Sequence, residues 1–178
     1  MLYYRFIYLT KRFLSLIRPQ TYLAGAMSSL KDSGANWRDK LTPDIQELGI
    51  KVQNPVKDEV KKINPPEGMN YKEYLFKLKI QGKKKVLIEV VDRIKKADLR
   101  CVAESDFIIC RWENTVPTVG TIEELVRASD WGIPIYILTD DNISDINEWL
   151  LSFPLKCGAI FKHKTELIGF LKGKYGCE

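Results

Sequence analysis

The sequence predicts an α/β fold: a parallel sheet of about five strands with helices on both faces. Three observations predict it. Short runs rich in aliphatic and β-branched residues recur at 21–25, 50–53, 107–110, 135–138 and 159–161. Stretches of helical periodicity separate them. Strands that alternate with helices, and that read as continuous apolar runs, form parallel sheets buried on both sides.

Each element follows from local signals. Residues 21–25 form a first strand that closes on Gly25. Asn36 is expected to cap a helix running to about residue 48, with Trp37, Leu41, Ile45 and Leu48 on one stripe. Gly49 stops it. Residues 50–53 give a short second strand, ended by Asn54-Pro55. Residues 56–69 read as a polar loop with Pro65, Pro66 and Gly68. Helices follow at about 70–81 and 84–103. The third strand, 107–110, leads through a loop containing Pro117 to a helix over about 121–131. There Ile122, Leu125, Val126 and Ser129 share a face. Gly132-Ile133-Pro134 stops it, and the fourth strand ends in the acidic turn Thr139-Asp140-Asp141-Asn142. A helix over about 144–152, a short strand near 159–161 and a helix near 165–172 complete the chain. With right-handed crossovers this order gives a doubly wound, flavodoxin-like domain over residues 20–178.

Residues 1–19 stand apart as a basic and apolar extension. Arg5, Lys11, Arg12 and Arg18 interrupt its apolar residues too often for a membrane span. The favoured reading is an extension packed on the domain; a targeting segment or an amphipathic surface helix in contact with a membrane is the alternative.

Composition narrows the chemistry. The formal net charge of +5, from 28 Lys+Arg against 23 Asp+Glu, suits an anionic substrate but is too small to argue for a nucleic-acid polymer. Cys101, Cys110, Cys157 and Cys177 are widely spaced without a CxxC pair, as expected of reduced cytoplasmic thiols. His163 is the single histidine and lies in a Lys-rich stretch. Ser-His-Asp, Cys-His and His-metal sites each need a histidine in the site, so any catalysis is expected to rest on carboxylates. The Lys-rich stretch 72–100 reads as a solvated helix face, with phosphate attraction as the alternative.

Three strand ends converge in such a fold: Tyr22-Leu23-Ala24-Gly25, Asn54-Pro55 and the loop 111–120. Glu124 lies just beyond a Gly120-Thr121 turn, at the carboxyl end of the third strand, where open α/β sheets keep their ligand sites. A helix N-terminus there would keep it ionised. Glu123 lies roughly 100° away around the helix, and the helical wheel does not choose between the two. Each candidate has a structural alternative. Glu124 would be an exposed first-turn acid, Asp98 a solvated acid among Lys95, Lys96 and Arg100, and Tyr22 a core aromatic. Trp37 would sit in the core with Arg38 on the surface, Asn54 would shape its turn, and Gly25 would serve close approach.

Several features taken together resemble the nucleoside 2-deoxyribosyltransferase family, which includes 2'-deoxynucleoside 5'-monophosphate N-hydrolases. They are Tyr22-Leu23-Ala24-Gly25, Trp37-Arg38, Asn54-Pro55, Asp98 eight residues before Asp106, and Gly120-Thr121-x-x-Glu124. The resemblance covers roughly residues 20–140. It implies Glu124 as the nucleophile on C1' of a deoxyribose, Asp98 as the acid assisting the departing base, and Tyr22 as the group orienting Glu124. It selects Glu124 over Glu123 by the Gly-Thr register. Gly25, Trp37, Arg38, Asn54, Thr118 and Gly120 would then line the substrate site. The implied partners are a nucleoside or nucleotide, a free nucleobase as acceptor, and further copies of the chain in a homo-oligomer.

The sequence departs from the family pattern in places. Thr118 stands where many transferases carry an Asp, which is closer to the N-hydrolase branch. Yet Ala26, Met27, Ser28 and Ser29 replace the Ser and Arg those hydrolases carry, and the segment 156–159 lacks the Asn that transferases lend across subunits. A protein that binds nucleotides without cleaving them remains the alternative of a different class.

Overall fold

The computed structural model describes residues 18–57, 63, 65–116 and 118–176. The sequence expectation for the N-terminal extension therefore lies outside the described residues, save for Arg18 and Pro19. Five strands form one sheet: β1 (Gln20–Gly25), β2 (Lys51–Gln53), β3 (Phe107–Arg111), β4 (Ile135–Leu138) and β5 (Ala159–Phe161). All pairings are parallel and the order is β2-β1-β3-β4-β5. The helices are α1 (Ala35–Glu47), α2 (Tyr71–Ile80), α3 (Lys84–Glu104), α4 (Val119–Asp130), α5 (Glu148–Cys157) and α6 (Lys164–Tyr175). This is the flavodoxin-like order, and the chain reverses direction across the sheet between β1 and β3.

Strand alternation sorts the core. Tyr22, Ala24, Ile108, Cys110, Ile135 and Ile137 face one side, where Val102 of α3, Leu125 and Ala128 of α4 and Leu150 of α5 cover them. Leu23, Phe107, Ile109, Tyr136 and Leu138 face the other side, under Leu41 and Ile45 of α1 and Leu167 and Leu171 of α6. Phe107 stacks on Tyr175 with ring centroids 4.3 Å apart. A smaller cluster of Ile63, Leu78 and Val90 joins α2 to α3 as a hairpin standing beside the sheet. Among the described residues, no helix is long and apolar enough to cross a membrane.

Four local expectations are corrected. The α1 cap is Gly34 at φ 69°, not Asn36. The Asp32 carboxylate instead accepts the N–H groups of Asn36 at 2.9 Å and Gly34 at 3.0 Å, and those bonds hold its pKa below the usual carboxylate value. Within the stretch read as a polar loop over 56–69, residues 56, 57 and 63 are helical and Ile63 is buried. The helix read from 144 begins at Glu148, because Asn147 caps it by accepting the N–H of Trp149 and residues Ile143–Asp145 form a 3-10 turn. Finally, α4 buries Thr121, Leu125 and Ala128, while Ile122 and Val126 face outward. Small residues at 121 and 128 let that face pack closely on the sheet.

Candidate active site

Tyr22 reaches the site because of strand parity. Its side chain points to the α3–α4 face of β1, where it is 1% exposed. From there its hydroxyl donates to Oε1 of Glu124 at 2.7 Å. Burial first, and then the charges of Glu124 and Asp98, raise the Tyr22 pKa well above the ordinary phenol value. The phenol therefore stays protonated and remains a donor, fixing one oxygen of a half-buried carboxylate.

The helix carrying Glu124 starts at Val119, two residues earlier than the sequence indicated. Glu124 thus lies in the second turn, and the first turn holds no acid. The macrodipole acts mainly on the first turn, so it contributes less here than expected. The hydrogen bond from Tyr22 takes over the positioning. Glu123 points elsewhere and pairs with Lys95 Nζ at 3.0 Å.

A cavity of about 390 Å³ opens above this pair, within the size range of small-molecule sites. It is lined by Glu124, Asp98, Gly25, Thr118, Gly120 and Thr121, together with Met27, Ser28, Ser29, Tyr71 and Lys95. Val91, Ile94, Lys95 and Asp98 reach it from α3 at the spacing i, i+3, i+4, i+7, which is one helix face. Asp98 is therefore brought to Glu124 rather than left among solvated lysines. Arg100, its expected neighbour, pairs with Glu104 instead.

The remaining predicted contacts fall elsewhere. Arg38 is fully buried, the reverse of the surface position expected as its alternative. Its Nε donates to Leu23 O at 3.1 Å, Nη1 to Gly34 O at 3.0 Å and Nη2 to Gly25 O at 3.0 Å. The guanidinium is a clip for the β1–α1 loop, and Arg38 does not line the Glu124 cavity. Trp37 is only partly buried and stacks on Arg38, whose guanidinium carbon lies 4.4 Å from the ring centroid. It lines a neighbouring cleft with Lys40, Arg111, Glu113 and Lys164, not the Glu124 cavity. Asn54 is buried and its Oδ1 accepts the Val56 N–H at 3.1 Å, which makes it a turn former. Gly25 serves close approach: at φ 151°, an added Cβ would lie 3.0 Å from Trp37 and 3.1 Å from Arg111 O.

Sequence reasoning placed Lys95 on a solvated helix face, with phosphate attraction as the alternative, and missed Tyr71. Lys95 carried a signal, its i+3 relation to Asp98. Tyr71 carried none, because α2 precedes α3 in a hairpin whose placement the local sequence does not encode. Among the described residues, no cluster of three or more His, Cys, Asp or Glu is arranged to hold a metal ion.

No family model matches the chain, and no curated protein matches it. Solved structures do share its fold. The 2-deoxyribosyltransferase of Bacillus psychrosaccharolyticus is 16% identical with a TM-score of 0.59, over 84% of this chain and 90% of that one. A conserved protein of Enterococcus faecalis V583 is 15% identical with a TM-score of 0.63, over 89% and 99%. The CMP N-glycosidase of Clostridium botulinum is 17% identical with a TM-score of 0.52, over 86% and 97%. The chain therefore has the α/β fold of structures that include a 2-deoxyribosyltransferase and an N-glycosidase.

Proposed function

We propose that this chain is an enzyme that cleaves the N-glycosidic bond of a deoxynucleoside or deoxynucleotide and transfers the deoxyribosyl group to another base. The observation that carries the reading is the Tyr22–Glu124 hydrogen bond at 2.7 Å in a cavity that also holds Asp98. One carboxylate is oriented by a neutral phenol, and a second stands on the facing helix. That is the minimal equipment for retaining chemistry at an anomeric carbon.

In the first step Glu124 attacks C1' and forms an ester. The C1'–N bond breaks, its electron pair stays on the base nitrogen, and Asp98 in its acid form gives that base a proton. In the second step a nitrogen of an acceptor base attacks C1', the ester bond breaks, and the Glu124 carboxylate is restored. Asp98 takes up the acceptor's proton. No step calls on a metal or cofactor.

A second reading, with water as acceptor, is favoured by one feature. Thr118 lines the cavity, and its Oγ1 is buried with no hydrogen-bond partner among the described residues. A neutral side chain in that place does not repel a substrate phosphate, as a carboxylate would.

A homo-oligomer belongs to the same proposal. Val119, Ile122 and Val126 form an exposed apolar stripe on α4 that begins at the rim of the cavity. Such a stripe at helical spacing suits a second copy. Light scattering of the purified chain, compared with an Ile122→Glu, Val126→Glu variant, tests it; a monomeric wild type would refute it.

The deciding experiment incubates the chain with deoxynucleosides and their 5'-monophosphates, with and without a free base, using Glu124→Ala as control. A new deoxynucleoside formed only with acceptor supports transfer. Free base plus deoxyribose or its phosphate supports hydrolysis. No product, or equal product from the variant, refutes the nucleophile and leaves a nucleotide-binding role.

A further inference from the structure

The turn between α2 and α3 concentrates positive charge on the folded domain. Residues 76–88 read Phe-Lys-Leu-Lys-Ile-Gln-Gly-Lys-Lys-Lys-Val-Leu-Ile, with five lysines and no acid. The formal net charge of the protein is also +5, and residues 1–19 form another basic stretch without an acid. None of Lys77, Lys79, Lys83, Lys84 and Lys85 has an ion-pair partner among the described residues. Every residue from 79 to 86 is exposed.

Large apolar side chains stand among these lysines. Phe76 is 63% exposed, Ile80 67% and Ile88 60%, while the inward positions Leu78 and Val90 hold the hairpin together. Folding has therefore buried what the hairpin needs and left a second apolar set in water. A solvated charged face explains the lysines but not Phe76, Ile80 and Ile88 beside them.

We infer that this hairpin tip is a docking surface for an anionic lipid bilayer. The lysines are attracted to a negatively charged surface, and their long stems let neighbouring apolar side chains enter the headgroup region. Phe76, Ile80 and Ile88 supply that apolar contact. A nucleic acid would match the charge alone. The exposed aliphatic side chains of Ile80 and Ile88 among the lysines have no counterpart in contacts to phosphates and base edges.

The test is co-sedimentation of the full chain with phosphatidylcholine vesicles, with and without phosphatidylserine. Two variants accompany it: one Lys83→Glu, Lys84→Glu, Lys85→Glu, the other Ile80→Ser, Ile88→Ser. The wild type is expected to bind only the phosphatidylserine vesicles, and more weakly in high salt. Each variant should bind about tenfold more weakly or worse, while far-ultraviolet circular dichroism and turnover stay unchanged. Three results would overturn the inference. One is a wild type that ignores anionic vesicles. Another is binding kept by both variants and lost only on deleting residues 1–19. The third is binding to duplex DNA that the Ile variant leaves intact and the Lys variant abolishes, in place of lipid binding.

Discussion

The hydroxyl of Tyr22 on β1 donates to Oε1 of Glu124 on α4 across 2.7 Å, joining residues 102 positions apart in the chain. A hydrogen bond to a charged group is worth about 1.5–3 kcal/mol. Tyr22→Phe removes the hydroxyl but keeps the ring in the core. Turnover should therefore fall roughly ten- to hundredfold, with the fold intact by circular dichroism. An unchanged kcat would mean that Glu124 is oriented by something else.

The two adjacent carboxylates should separate cleanly. Glu124→Gln keeps the size of the side chain and removes the nucleophile, so glycosidic cleavage should drop to background. Glu123→Gln breaks only a half-exposed pair with Lys95, worth less than about 1 kcal/mol, and should leave kcat within about threefold. Steady-state kinetics of both variants decides it. The reverse pattern would move the nucleophile to Glu123.

These two residues also mark where the sequence was and was not legible. Apolar runs and turn residues placed the strands and their ends, so the flavodoxin-like topology and the Glu124 region could be read from local pattern. The starting residue of α4 could not. Thr118 is an acceptable N-cap, but its side chain makes no capping hydrogen bond and the Gly120-Thr121 turn points to a later start; the difference moves Glu124 out of the first turn. The burial of Arg38 was equally hidden. An arginine after a tryptophan reads as surface, and only the tertiary position of carbonyl oxygens from Leu23, Gly25, Ser33 and Gly34 makes an interior one stable.

That arrangement makes Arg38 a stability residue. Arg38→Met leaves buried carbonyls of the β1–α1 loop without donors, each costing about 1–3 kcal/mol, so urea denaturation should show a loss of about 3 kcal/mol or more. Arg38→Lys should recover little, because a compact ammonium cannot reach the spread of carbonyls that the planar fork holds. A loss below about 1 kcal/mol for Arg38→Met would mean that the loop holds itself.

Alkaline titration offers a test of Tyr22 that needs no substrate. Its folded-state pKa lies well above the ordinary value of 10.0, chiefly because it is buried and then because Glu124 and Asp98 are negative. Above about pH 10 the unfolded chain loses this phenolic proton while the folded chain keeps it, so the unfolded state binds fewer protons. Stability contributed by Tyr22 is then fully present below pH 10 and declines as pH rises toward the folded value, by at most about 1.4 kcal/mol per pH unit. Tyr22→Phe has no such proton, whereas the other tyrosines titrate alike in both proteins. Urea midpoints measured from about pH 9 to about pH 11 should therefore fall more steeply for the wild type than for the variant. Parallel curves would show that Tyr22 ionises as easily folded as unfolded, and would remove the reason for treating it as a permanent donor to Glu124.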